Sequence, residues 1–230
     1  MKKWLALAAT AVLGASLLIS GCGSSTNNAS SSGSKEVLKV AANPVPHAEI
    51  LEQVKPILAK EGVDLQIVEF TDYIQPNMAL SSHEVDANFF ANVPYQNNYN
   101  KDHGTNFVSF APVHIEPLAI YSQKIKDLKD LPNGAKVAIP SDPTNSARAL
   151  LLLQSAGLVT LKDPTGLTNT PFDVTSNPKN IQITELEAAQ IPRSIQDLDA
   201  AVINANYALP AGLNPTKDGL FVEKADSPYA

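Results

Sequence analysis

The run Ser141-Asp142-Pro143-Thr144-Asn145-Ser146-Ala147-Arg148 joins the end of an expected strand to the start of an expected helix. Free backbone N–H groups at a helix N-terminus favour an anion there. Arg148, one turn in, adds a planar fork of donors that suits a carboxylate. Asn145, three residues earlier, shares its side of the helix. The chemistry implied is capture of an anionic head group. The same residues also read as a helix cap followed by a surface arginine, and both readings stand at this point.

Asn204 and Asn206 follow the apolar run 200–203. Strand ends in α/β sheets are where ligands are held, and an amide offers both a donor and an acceptor. The alternative is a pair of turn-forming asparagines. Aromatic residues gather earlier, at Phe70, Tyr73, Phe89, Phe90 and Tyr95. Phe89 and Phe90 are adjacent in an expected strand and should point to opposite faces, so at most one should reach a cleft. Of four histidines, His83 and His103 read as surface residues. His114 with Glu116 is a partial metal site without tight ligand spacing or a His-rich loop, and no metal is expected.

The single cysteine, Cys22, ends an apolar stretch over residues 4–21 that follows Lys2 and Lys3. A basic start, an apolar run and Ile19-Ser20-Gly21-Cys22 form a secretory signal ending in a lipobox. The stretch is short for a bilayer span, which needs about 20 apolar residues. Residues 1–21 are therefore expected to be removed, leaving Cys22 as a lipidated N-terminus on the extracytoplasmic face of a membrane. Residues 23–35 are a Ser/Asn/Gly tract that reads as a tether with an end-to-end distance of about 20 Å.

Composition narrows the function further. The net charge is −6, with acids and bases mixed, which is not a nucleic-acid surface. There is no G-x-S-x-G, P-loop or dinucleotide fingerprint. Glu185 and Glu187 read as solvated carboxylates on a helix. No constellation supports an enzyme, and no cofactor is expected.

These groups need elements to hold them. Residues 37–42 read as a buried strand, followed by a helix from Pro46 with Ile50, Val54, Ile57 and Leu58 at helical spacing, closed by Gly62. Strands are expected over 65–70 and 85–90, with a helix over 72–82 between them. Strands are then expected over 107–113, 118–121, 136–140, 181–184 and 200–203, and a helix over about 144–156. The alternation predicts parallel sheets covered by helices. It reads as two α/β lobes joined near 114–117 and 204–210, with a ligand cleft between them.

Read together, these segments resemble the NlpA/MetQ family, the binding lipoproteins of methionine ABC importers. The resemblance rests on PHAEILEQVKPIL, VEFTDYIQPNMAL, VDANFFANVPY, VHIEPLAIYS, VAIPSDPTNSARALLLLQSAGL, NPKNIQI, ELEAAQIPRS, DAAVINANYALPAGL and SPYA, in family order across residues 38–230. It implies a two-lobed, type II-like periplasmic-binding-protein fold. Lobe 1 would span 37–116, with 210–230 returning to it, and lobe 2 would span 117–209, after a lipidated segment over 22–36. It implies capture of L-methionine, a close derivative or a methionine-containing dipeptide, and delivery to a permease driven by an ATPase. A metal-capturing surface lipoprotein is the alternative. Asn145 and Arg148 match the polar pair that meets the amino-acid head group. Asn204 matches the asparagine of the VIN motif, and His114 the histidine of VH-x-EP. Tyr73 and Phe90 match aromatic positions expected to hold the thioether. The chain departs from the family pattern at Ala91-Asn92, in place of Gln-His, and at Val45, in place of Gly. It stops at SPYA, where the family continues, so a C-terminal part of the fold is expected to be missing.

Overall fold

The computed structural model describes residues 36–229. The expected signal sequence, Cys22 and the tether lie outside the described residues, apart from Glu36, which opens the first strand. Among the described residues no helix is long and apolar enough to cross a membrane.

The chain begins β1 (Glu36–Ala42), α1 (Glu49–Lys60), β2 (Val63–Glu69), α2 (Gln75–Ser81), β3 (Ala87–Phe89) and α3 (Val93–His103). β1 is the centre of a parallel sheet ordered β2-β1-β3, with Leu38 beside Leu65 and Val40 between Ile67 and Ala87. One face packs Ala41 against Ala79 and Val85. On the other, α1 lies with its apolar stripe only part-covered, and none of its residues is fully buried.

The chain continues through β4 (Ala119–Tyr121), β5 (Lys136–Pro140), α4 (Pro143–Ser155), β6 (Thr160–Leu161), β7 (Val174–Ser176), β8 (Gln182–Leu186) and α5 (Ile191–Ser194). It closes with β9 (Ala200–Ile203), α6 (Ala205–Ala208), α7 (Pro215–Asp218) and β10 (Phe221–Val222). The second sheet is ordered β10-β4-β9-β5-β8. β5 runs parallel to β8 and β9, whereas β4 is antiparallel to β9 and β10.

This sheet carries the larger core. Leu150 and Leu153 of α4 are fully buried against Val137, Ile139, Ile120 and Val202. The opposite face packs Tyr121, Ala201 and Ile203 on Ile191, Ile195 and Ala208. A strand covered on both faces reads as an unbroken apolar run, which is what Ala200-Ala201-Val202-Ile203 is. Burial of each such leucine contributes about 1.5–3 kcal/mol. Gly157, at φ +75°, ends α4 by turning the chain left-handed so that Leu158 N–H donates to the Leu153 carbonyl at 3.0 Å.

Four expectations change. Residues 107–113 form no strand, and the segment runs largely exposed, with Val108 and Phe110 more than four-fifths accessible. The run has strand composition, but its first backbone groups bond a side chain instead of a sheet: Asn100 accepts from Phe107 N–H and donates to the Phe107 carbonyl. α3 was not expected from its polar sequence. It starts where Asn92 Oδ1 accepts from Tyr95 N–H and stops at the left-handed Gly104. Phe221–Val222 pairs with β4 in the second sheet rather than returning to the first. Glu185 lies in β8, not on a helix, and accepts a hydrogen bond from Ser146 at 2.7 Å.

Candidate functional site

A cavity of about 1090 Å³ is lined by strands of the first sheet, by α1 and the 107–116 segment, and, from the other half, by residues of α4, by Asn204–Asn206 and by Pro228 and Tyr229. Its polar end is built on the N-terminus of α4 and the end of β9.

Asp142 caps α4. Its Oδ1 accepts from Asn145 N–H at 2.9 Å, and both carboxylate oxygens accept from Asn145 Nδ2 at 3.0 Å. The anion expected at this helix start is therefore the chain's own Asp142. Burial raises the Asp142 carboxyl above its usual range, and the Asn145 hydrogen bonds offset this only in part. Asn145 Oδ1 then accepts from Asn204 Nδ2 at 2.9 Å. Asn204 Oδ1 is left buried with no partner among the described residues, and Asn204 lines the cavity. The relay has one direction, because a carboxylate only accepts: Asn145 must turn its amino group to Asp142, so Asn204 must turn its oxygen away.

Arg148 is 4% exposed and is not a surface arginine. Its Nε donates to both oxygens of Glu223 at 2.9 and 3.1 Å, and Nη2 donates to Glu223 Oε2 and, at 2.8 Å, to the Glu116 carbonyl. Glu223 also accepts from Leu118 N–H and Ser227 Oγ. Burial pushes the Glu223 carboxyl up, but the Arg148 hydrogen bonds and charge more than offset it and leave it below its usual value. Tyr229 lies over the guanidinium at 5.4 Å. Burial raises its phenol to about 12. Nη1 makes no hydrogen bond among the described residues, which leaves one guanidinium nitrogen for a ligand.

Tyr73 spans the cleft. Its hydroxyl donates to Asn206 Oδ1 at 2.6 Å, leaving Asn206 Nδ2 buried without a partner among the described residues. Its ring stacks on Phe90 at 5.9 Å and meets Tyr207 at 5.0 Å, while Tyr95 donates its hydroxyl to the Tyr73 carbonyl. Burial keeps the Tyr73 phenol well above its ordinary value, hence neutral. Phe89 and Phe90 both line the cavity. β3 ends at Phe89, so strand alternation no longer governs Phe90.

His114 lies at the cavity edge beside Glu116, as expected, but it also meets His47. Nε2 of His47 and Nε2 of His114 approach the same oxygen, Glu116 Oε1, at 3.0 and 2.5 Å. Burial alone would raise the Glu116 carboxyl; hydrogen bonds from His114 and His47 outweigh it and bring it down to about 2. His83 and His103 are exposed.

All six candidate binding residues, Tyr73, Phe90, His114, Asn145, Arg148 and Asn204, thus line one cavity. Sequence reasoning left out Glu223 and Tyr229, which carried no local signal. It left out the pairing of His47 with Glu116, which lie 69 positions apart. Asn206 was visible as the second asparagine after β9.

Residues 38–230 match the sequence model of the NlpA lipoprotein family. A relative from Salmonella typhimurium, described as a D-methionine-binding lipoprotein MetQ, is 44% identical over 231 residues, covering 99% of this chain and 83% of that one. A nutrient binding protein from Burkholderia cenocepacia, solved bound to methionine, superposes with a TM-score of 0.81 at 48% identity, covering 84% of this chain and 82% of that one. A periplasmic substrate-binding protein of an ABC transporter from Coxiella burnetii gives 0.80 at 45% identity, covering 84% and 82%.

Proposed function

The chain belongs to the NlpA lipoprotein family, and from that premise we propose that it captures methionine, or a close derivative, for an ABC importer. The capture takes place outside the cytoplasm, with Cys22 lipidated and residues 23–35 as the tether. A membrane permease and its ATPase receive the ligand. Tethering keeps the binding protein at high effective concentration beside that permease.

One observation carries the reading. The cavity presents a buried, unpartnered acceptor, Asn204 Oδ1, and a buried, unpartnered donor, Asn206 Nδ2. Arg148 and the aromatic pair Tyr73 and Phe90 line the same space. An α-amino acid zwitterion has the complementary groups: its ammonium donates to Asn204, and its carboxylate accepts from Asn206 and Arg148 Nη1. The rings then receive the side chain, where a thioether gains about 0.3–1.5 kcal/mol per sulfur–aromatic contact. A buried polar head group requires this full pairing.

The test is thermal unfolding of the full chain against L-methionine, D-methionine, methionine sulfoxide, methionine dipeptides and leucine. A ligand at 100 times its Kd stabilises by about 2.7 kcal/mol. Stabilisation by a methionine compound and not by leucine is the expected outcome. A flat response across the panel overturns the proposal.

A further inference from the structure

We propose that His47, His114 and Glu116 form a site for one divalent transition-metal ion of the zinc class, at the edge of the cavity. Their three ligand atoms lie within 4.8 Å of one another. Two imidazoles and a carboxylate are a ligand set that suits zinc and cobalt. Around a tetrahedral ion with bonds of about 2.0–2.1 Å, ligand atoms stand roughly 3.3 Å apart. The observed 3.0 and 2.5 Å to Glu116 Oε1 reach that spacing through small side-chain rotations.

The rings are held in place. Phe89 meets His47 edge-on at 4.9 Å and His114 at 5.4 Å, and the two imidazoles are 5.1 Å apart. Packing of this kind fixes rotamers before an ion arrives. His47 is 3% exposed, whereas the side chains of His114 and Glu116 are 24% and 21% exposed. All three line the cavity, so the open side faces it and leaves a fourth position for water.

His47 Nδ1 is buried without a partner among the described residues. Ligating histidines usually donate that N–H to an outer group, whose loss costs about 10–100-fold in affinity. The site is accordingly weaker than a closed structural zinc site. It does not rest on methionine capture, whose head-group contacts are assigned to Asn204, Asn206 and Arg148.

The experiment titrates the metal-stripped full chain with Co²⁺, followed by visible absorption, and then displaces it with Zn²⁺. One Co²⁺ per chain is expected. His47→Ala and His114→Ala should each weaken binding by at least about 10-fold, and Glu116→Gln should weaken it while keeping an acceptor for both histidines. His83→Ala with His103→Ala should change nothing. Absence of a saturable band overturns the proposal, and so does unchanged affinity in the His47 and His114 variants. Histidine NMR of the wild-type chain under Zn²⁺ is independent of variant folding. Two of the four imidazoles should shift, and shifts confined to His83 and His103 overturn the site.

Discussion

Asn204 Nδ2 donates to Asn145 Oδ1 across 2.9 Å, and this bond points because Asn145 gives both its N–H groups to Asp142. An unpaired buried acceptor costs about 1–3 kcal/mol. Asn204 Oδ1 is such an acceptor, and a ligand ammonium removes the cost. A hydrogen bond to a charged group contributes about 1.5–3 kcal/mol, or roughly 10- to 150-fold in affinity. Asn204→Ala should therefore weaken methionine binding by that factor in calorimetry. An unchanged Kd places the ammonium elsewhere.

Tyr73 performs two tasks that substitution separates. Its hydroxyl orients Asn206, and its ring packs with Phe90 and Tyr207. Tyr73→Phe removes only the hydrogen bond, a change of about 0.5–1.5 kcal/mol, and should weaken methionine by roughly 2- to 13-fold. Norleucine replaces the sulfur with a methylene. Its affinity relative to methionine should stay the same in Tyr73→Phe and approach unity in Tyr73→Ala, as measured by competition.

The second core offers a stability contrast. Leu153 of α4 is fully buried, and Leu→Ala at such a site costs about 2–5 kcal/mol. Ile57 of α1 is 57% exposed, and Ile57→Ala should change stability by less than about 0.5 kcal/mol. Urea unfolding should show a lowered midpoint for the first and a wild-type midpoint for the second.

The strands that position the site were legible wherever both faces are covered. Ala200–Ile203 and Lys136–Pro140 read as apolar runs and fold as the paired centre of the second sheet. Residues 107–113 read the same way and form no strand, because composition reports burial potential and not the presence of a neighbouring edge. α3 shows the converse. Its polar residues hide the helix, and its signals lie at the ends, in Asn92 and Gly104. At the site, Arg148, Asn145 and Asn204 were visible from local spacing. Their partners were not equally visible. Glu223 lies 75 positions from Arg148, and no periodicity in the chain encodes a pair at that distance.

That distant pair sets an acid limit on stability. Arg148 and Glu223 are both buried, with side chains 5% and 9% exposed. Leu118 N–H, Ser227 and the neutral phenol of Tyr229 complete the surroundings. Although burial pushes the Glu223 carboxyl up, Arg148 holds it below its usual value. A carboxyl lowered on folding adds stability above its unfolded pKa, near 4.3, and loses it as pH falls through the folded value. Melting temperature should therefore drop below about pH 4. Glu223→Gln should flatten that limb. It should also lower the melting temperature at pH 7, because removing one charge of a buried pair costs about 3–5 kcal/mol, or roughly 6–20 °C at this size. If Glu223→Gln melts like the wild type at pH 7, the pair does not hold the cavity's polar end together.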